Sequence, residues 1–391
     1  MYTVLEKRFV YADNAATTAP LPAVIDEMMP YLREKWGNPS SLHQKGTQAK
    51  VALDAYREKI AKLLDCDKNE IFFTSCGTEA DNHAIRGAAY ANAQKGKHII
   101  TSKVEHHAVL HTCKALEKEG FEVTYLDVDS YGRVSAEDVE RAIRPDTTLV
   151  AIMYANNEIG TIMPIKEIAE VCHARGVLCM TDAVQAVGNV PISIRELGVD
   201  MLTASGHKIH APKGIGLLYI KKGKKIVNLI EGGGQERGRR GGTENLPYIA
   251  AFAKAIEIAV ERIPDMERVR KLRDRLIEGL LKIPYSRLNG SREHRLPGNV
   301  NISFEFIEGE SILLLMDLAG ICCSTGSACS SNSLDPSHVL LAIGLPHEVA
   351  HGSVRLTLSH ENTEEDVDYI IEKLSEIVKR LRDMSPLYAE V

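Results

Sequence analysis

The stretch VLCMTDAVQAVGNVPISIRELGVDMLTASGHKIHAPKGIGLLYI, residues 177–220, decides the fold. It contains three short apolar runs, VLCMTD at 177–182, MLTAS at 201–205 and IGLLYI at 215–220, and each reads as a β-strand. The same rhythm continues upstream. IFFTS at 71–75 leads into a helical pattern over 77–93, HIITS at 98–102 into a second over 106–119, and FEVTYLDV at 121–128 and TLVAIMY at 148–154 into a third near 164–175. Strands that recur with intervening helices predict an α/β class with a mainly parallel sheet and helices on both faces. Ligands of such sheets collect beyond the carboxyl ends of the strands, where Asp182 and Ser205 to Lys208 fall.

Downstream the pattern changes. Residues 245–282 read as helix almost throughout, interrupted at Pro264, and are followed by strand-like NVNISF at 299–304, ICCS at 321–324 and SVRLTL at 353–358 beside helices near 309–319 and 363–383. This predicts a smaller α+β domain, giving a large domain over 16–262 and a small one made of 1–15 and 263–391. A chain of 391 residues can bury its core without metal or disulfide staples. Eight cysteines are present, and no two of them have the Cys-x-x-Cys spacing of zinc ribbons or thioredoxin-like sites. A net charge of −6 gives no global reason to expect nucleic-acid or membrane-surface binding. The N-terminal MYTVLEKRFV lacks the apolar core of a signal peptide, so a reducing cytoplasm with free thiols is expected.

Three segments carry chemistry. In FTSCGTEADN at 73–82 a strand gives way to a helix opened by Gly77 and Thr78. Taken alone, this reads either as a capped helix start, with Thr78, Glu79 and Asp81 in its first turn, or as a phosphate cradle at the helix N-terminus. In TDAVQAVG at 181–188, Asp182 ends a strand and Gln185 follows one turn later; a lone Asp there serves equally as a turn former. In ASGHKIHAPKG, Lys208 follows a strand beside Ser205, Gly206 and His207, the small and hydrogen-bonding neighbours that a Schiff-base lysine requires.

Together with YADNAATT (11–18), WGNPSSLH (36–43), VEHHAVL (104–110), ANNEIGT (155–161), GGGQERGRRGGTEN (232–245), STGSACSS (324–331) and VRLTLS (354–359), these pieces run collinearly over nearly the whole chain. In them the chain resembles the cysteine desulfurases of the IscS/NifS type, within the class V aminotransferases and the fold-type I enzymes of pyridoxal 5′-phosphate (PLP). The resemblance implies the aspartate aminotransferase-like fold and conversion of L-cysteine to L-alanine. It implies that Lys208 links to the cofactor and shuttles protons, that Asp182 pairs with the pyridinium nitrogen, and that His106 stacks on the ring and acts in acid–base steps. Asn157 and Gln185 would bind ring substituents, and Gly77, Thr78, Ser205 and His207 the phosphate. Thr243 would complete that phosphate site in a second subunit of a homodimer. Arg355 would fork onto the substrate carboxylate, with Asn38 assisting.

Cys329 would carry the sulfur as a persulfide. Its segment, CCSTGSACSSNSLDPSH at 322–338, is rich in small polar residues and predicts a mobile loop, as a carrier requires. The family implies iron–sulfur scaffold proteins or tRNA-thiolation enzymes as sulfur acceptors, and Cys329 as a transient iron–sulfur ligand held jointly with a partner. Rival readings use real features: RGRRGG at 237–242 as an RNA-binding stretch, His107 and His111 as a metal pair on one helix face, and a transaminase or selenocysteine lyase within the same superfamily. An acidic chain with a single such arginine–glycine stretch and no interleaved aromatics argues against direct nucleic-acid binding. Cys76 stands where the family often has Gly, and His210–Ala211 where Tyr–Gly is frequent.

Overall fold

The computed structural model describes residues 8–325 and 336–388. Its strands are β1 (Val10–Tyr11), β2 (Ile71–Thr74), β3 (His98–Ser102), β4 (Glu122–Leu126), β5 (Thr147–Ala151), β6 (Leu178–Asp182), β7 (Met201–Ser205), β8 (Gly216–Ile220), β9 (Ser286–Leu288), β10 (Asn299–Phe304), β11 (Ile321–Cys322) and β12 (Ser353–Thr357). Seven of them form the central sheet in the order β2-β8-β7-β6-β5-β3-β4. Neighbours from β7 to β4 are parallel, and β8 runs antiparallel to both β7 and β2. The sheet is therefore mixed but mostly parallel.

Alternate residues of one strand face opposite sides of this sheet. Phe72, Leu149, Met180 and Leu218 pack under the helices Gly77–Asn92 and His107–Glu117. Ile71, Phe73, Val150, Cys179 and Leu217 face a second layer built from Gln44–Leu63, Ile165–Ala174 and Leu246–Glu261. Burial on both faces explains why the inner strands read as unbroken apolar runs. A separate core gathers around the antiparallel sheet β12-β10-β9, with Val10 and Ala12 joining residues from Val269 to Val378. The long helical stretch is two helices, Leu246–Glu261 and Met266–Leu280, joined by a 3-10 turn that contains Pro264.

Two further helices, Pro22–Arg33 and Gln44–Leu63, had no clear signal in the sequence. The buried stripe of the second runs Gly46, Ala49, Leu53, Arg57, Ile60, so a glycine and an arginine interrupt its apolar pattern. Arg57 is buried for a reason. β2 is an edge strand whose outward backbone groups need partners. Arg57 donates to the Ile71 carbonyl at 2.7 Å and forms a buried pair with Glu236, whose Oε2 accepts the Phe73 N–H at 2.9 Å. Arg237 adds a further donation to Ile71 and stacks on Phe72. To do this, Glu236 and Arg237 adopt left-handed φ of 47° and 56°, a cost the pairing offsets.

Removing one partner would leave an uncompensated buried charge. Glu236→Ala is expected to lower unfolding stability by about 3–5 kcal/mol, read from the urea midpoint, with Glu236→Gln losing less.

Candidate active site

A cavity of about 390 Å³ opens beyond the carboxyl ends of β6 and β7. Its lining includes Gly77, Thr78, His106, Asn157, Asp182, Gln185, Ser205, His207, Lys208 and Arg355, so the fold brings ten of the expected site residues together. Asn38 and Thr243 are exposed and lie away from this lining. Cys329 falls outside the described residues.

Gly77 begins the helix Gly77–Asn92 at the floor of the cavity, and a Cβ there would meet Val184 Cγ2 at 2.9 Å. The absence of a side chain lets the helix N-terminus face the cavity directly. The helix cap is Cys76, whose sulfur accepts the Glu79 N–H at 3.4 Å, so Thr78 is not the capping residue. Glu79 turns to Ser75 and Arg240, and Asp81 turns inward to accept a hydrogen bond from Thr203 at 2.6 Å. The first-turn acids thus have structural roles that a capping reading of the sequence did not separate.

Asp182 ends β6 fully buried, accepting the Val184 N–H at 2.9 Å. Burial pushes its carboxyl up to about 6, against the pull of the Val184 N–H and the nearby Lys208 ammonium. Burial, and then the neighbouring Asp182, hold Asp81 well above the ordinary carboxylate range. Glu105 is driven up to about 8 by burial, although Ser102 and the Met153 N–H both donate to it. The sequence offered no signal for Asp81 and Glu105 as buried carboxyls, because acidic residues at helix starts usually face water.

Lys208 sits at the end of the 3-10 turn Gly206–Lys208 that follows β7. Its ammonium donates to the carbonyls of Ala15 and Ala16, each at 2.7 Å. Gln185 donates to the same Ala15 carbonyl at 3.1 Å. His106 caps its helix by accepting the Ala108 N–H at Nδ1, so its neutral ring carries the proton on Nε2. Burial, followed by the Lys208 charge, lowers His106 to about 4, and the same two causes lower His207 to about 4.

Arg355 lies on β12, almost wholly enclosed at 3 % exposure. One terminal nitrogen donates to the Asn157 carbonyl at 3.0 Å and the other to Asp13 at 3.1 Å, while Nε has no partner among the described residues. A buried unpaired guanidinium N–H costs free energy unless a ligand takes it. Arg237 and Arg240 of the RGRRGG stretch donate to Ile71 and Glu79, so those guanidiniums are engaged within the chain. No cluster of three or more metal-ligating side chains occurs among the described residues.

Residues 10–370 match the family model described as Aminotransferase class-V. The chain is 57% identical over 383 residues to a protein of Methanosarcina thermophila named Cysteine desulfurase IscS, covering 98% of this chain and 95% of the relative. A solved structure titled NifS-like protein aligns with TM-score 0.90 at 42% identity over 96% of this chain and all of its own. Another, titled SspA in complex with cysteine, aligns with TM-score 0.80 at 37% identity over 90% of this chain and all of its own. The chain belongs to the class V aminotransferase family and, within it, to the cysteine desulfurases of the IscS/NifS type. Its cofactor is PLP, and the donor set suits that molecule: a helix N-terminus opened by Gly77, a primary amine at Lys208, and a buried carboxyl at Asp182.

Asp182 has an energetic consequence for the free protein. Its folded pKa, raised to about 6, lies above the unfolded value near 3.9, so the native state bears a cost once both states are ionised and none when both are protonated. The cofactor-free Asp182→Asn variant is therefore expected to be about 2–3 kcal/mol more stable than wild type at pH 7.5, a gain that disappears as pH falls through 6 towards 4, by urea unfolding at both pH values.

Proposed function

We propose that the chain converts L-cysteine to L-alanine and passes the sulfur to its own Cys329 as a persulfide. The observation that supports this best is that one cavity is lined by Lys208, the buried carboxyl of Asp182 and Arg355. Names borne by relatives at this identity point the same way.

Lys208 would tether the cofactor, Asp182 would pair with its ring nitrogen, and Gly77, Thr78, Ser205 and His207 would hold its phosphate. Asn157 and Gln185 contact the ring substituents. Bound PLP supplies an electron sink for the pair left when the substrate Cα proton departs. Lys208, whose amine lies at the cavity wall, would be the base that takes this proton. His106, neutral with its proton on Nε2, would stack on the ring and donate or take the second proton. Arg355 orients the substrate carboxylate, with Asn38 assisting.

The Cys329 thiolate then attacks the substrate sulfur. A sulfur–sulfur bond forms as the carbon–sulfur bond breaks, and the electron pair stays on the three-carbon fragment, which is protonated to alanine. Cys323 is a poor rival, since burial pushes its thiol up to about 12 and away from the thiolate form.

The working unit is a homodimer in which Thr243 reaches the phosphate site of the second subunit. Trp36, Leu42 and Val51 are exposed large apolar side chains, with Asn38 in the same loop as Trp36, and a second copy would cover them. The division into a large domain over 16–262 and a small one of 1–15 and 263–391 rests on the separate core around β10 and β12. Among the described residues the cysteines are unpaired and no helix is long and apolar enough to cross a membrane. A cytoplasmic enzyme feeding iron–sulfur scaffold proteins, and tRNA thiolation through similar acceptors, fits these features.

Two variants test the assignment. Lys208→Ala should lose the visible absorbance of tethered cofactor and fall at least about 10³-fold in alanine formation. Cys329→Ser should keep that absorbance and bind L-cysteine, yet form no persulfide; sulfide release at the wild-type rate would remove Cys329 from the carrier role.

A further inference from the structure

The substrate end of the cavity has a charge arrangement that tethering of a cofactor does not require. The Arg355 guanidinium is buried, and it is already half neutralised by Asp13, at 3.1 Å and itself little exposed. Asp13 is fixed independently of that pair. It follows β1, forms a β-bridge with Thr357 at the end of the strand that carries Arg355, and its carbonyl accepts from the Ala16 N–H at 3.0 Å and the Tyr11 hydroxyl at 3.2 Å. Glu158, buried beside the guanidinium, has its carboxyl engaged by Ser337.

A guanidinium carries five N–H donors. Asn157 and Asp13 take one from each terminal nitrogen, which leaves a second N–H on both. That leaves enough donors for one carboxylate in a two-pronged contact. Among the described residues lining the cavity, the other lysine or arginine is Lys208, which the cofactor occupies. His106 and His207 are held neutral by burial. A second anionic group on a substrate would thus find no uncompensated cation, and it would feel Asp13 through a poorly screened interior.

We propose that Asp13 determines the charge class of the substrate: it leaves Arg355 fit for a single carboxylate and makes the site select amino acids with an uncharged side chain over dicarboxylates. This rests on the reading of Arg355 as the carboxylate-binding residue. Asp13 acts through Arg355 and is a specificity-determining neighbour, not a catalytic group.

The test uses the holoenzyme and two probes close to cysteine in size, L-serine and L-aspartate, with apparent dissociation constants read from the change in the bound cofactor's visible absorbance. Wild type is expected to favour serine over aspartate by at least about tenfold. Asp13→Asn, which keeps an acceptor for the guanidinium and removes the charge, is expected to narrow that ratio by about tenfold, chiefly by tightening aspartate. Asp13→Glu should retain the native ratio. A native ratio in a cofactor-loaded Asp13→Asn protein overturns the proposal. So does wild type that binds aspartate as tightly as serine, which needs no variant to fold. Arg355→Lys separates the two layers: weakened serine binding upholds the carboxylate reading whatever Asp13 does, and unchanged serine binding removes that reading and the proposal with it.

Discussion

The site depends on where one short segment, Tyr11 to Thr18, is laid. It leads from the two-stranded pair β1-β11 to the carboxyl edge of the large sheet and supplies partners to four site side chains, those of Lys208, Gln185, His207 and Arg355. Asp13 pairs with Arg355, the Ala15 and Ala16 carbonyls receive the Lys208 ammonium, and Ala15 also receives Gln185. Thr17 bonds the His207 ring, and Thr18 bonds the His207 carbonyl and the His210 N–H. The segment is held at its start by pairing of β1 with β11 and at Asn14 by two bonds to the Thr357 carbonyl. The regions around the two hydrophobic cores are thereby linked beside the site, in addition to the bonds from Asn299 and Asn301 to the Glu158 carbonyl and from Ile162 to His294. Backbone carbonyls suit this task, since they orient an amine without adding a charge that would compete with Asp182.

The second constraint is electrostatic. Three carboxyls, Asp182, Asp81 and Glu105, are enclosed together with few compensating cations. Burial raises these carboxyls, so ionising them costs the free protein near neutrality, and a cationic ring nitrogen beside Asp182 would offset part of that cost by favouring its carboxylate form. The histidines respond in the opposite sense: burial and Lys208 keep His106 and His207 neutral, ready to donate at one nitrogen and accept at the other. The Arg57–Glu236 pair shows the same logic in a purely structural setting, with a buried charge tolerated because every facing backbone group of β2 needs it.

Much of this was legible in the sequence. Inner strands buried on both faces gave unbroken apolar runs, and the polar residues ending β6 and β7 marked the binding edge before any geometry was known. The fold class, the helices over 246–280 and 364–383 and the residues gathered in the cavity follow from those signals and from collinear motifs. What was hidden was hidden for physical reasons. β1 has two residues, too few for any periodicity, although it anchors the central segment. The helix Gln44–Leu63 escaped because Arg57 occupies its buried stripe. Cys76 as a cap, and Asp81 and Glu105 as buried acids, are roles decided by side-chain direction, which spacing alone does not encode. Asp13 sat within a recognised motif, but its role emerges only when β12 brings Arg355 beside it.

The central claim is that one cavity releases sulfur from cysteine and one thiol receives it. A single turnover of the holoenzyme with isotopically labelled L-cysteine, quenched and mapped by mass spectrometry without reductant, tests it most directly. The account gives one alanine per labelled sulfur, with that sulfur on Cys329 itself, located within its peptide by fragmentation that separates it from Cys322 and Cys323. Label on Cys76 or Cys323, or alanine formed with no sulfur retained on the protein, would contradict it.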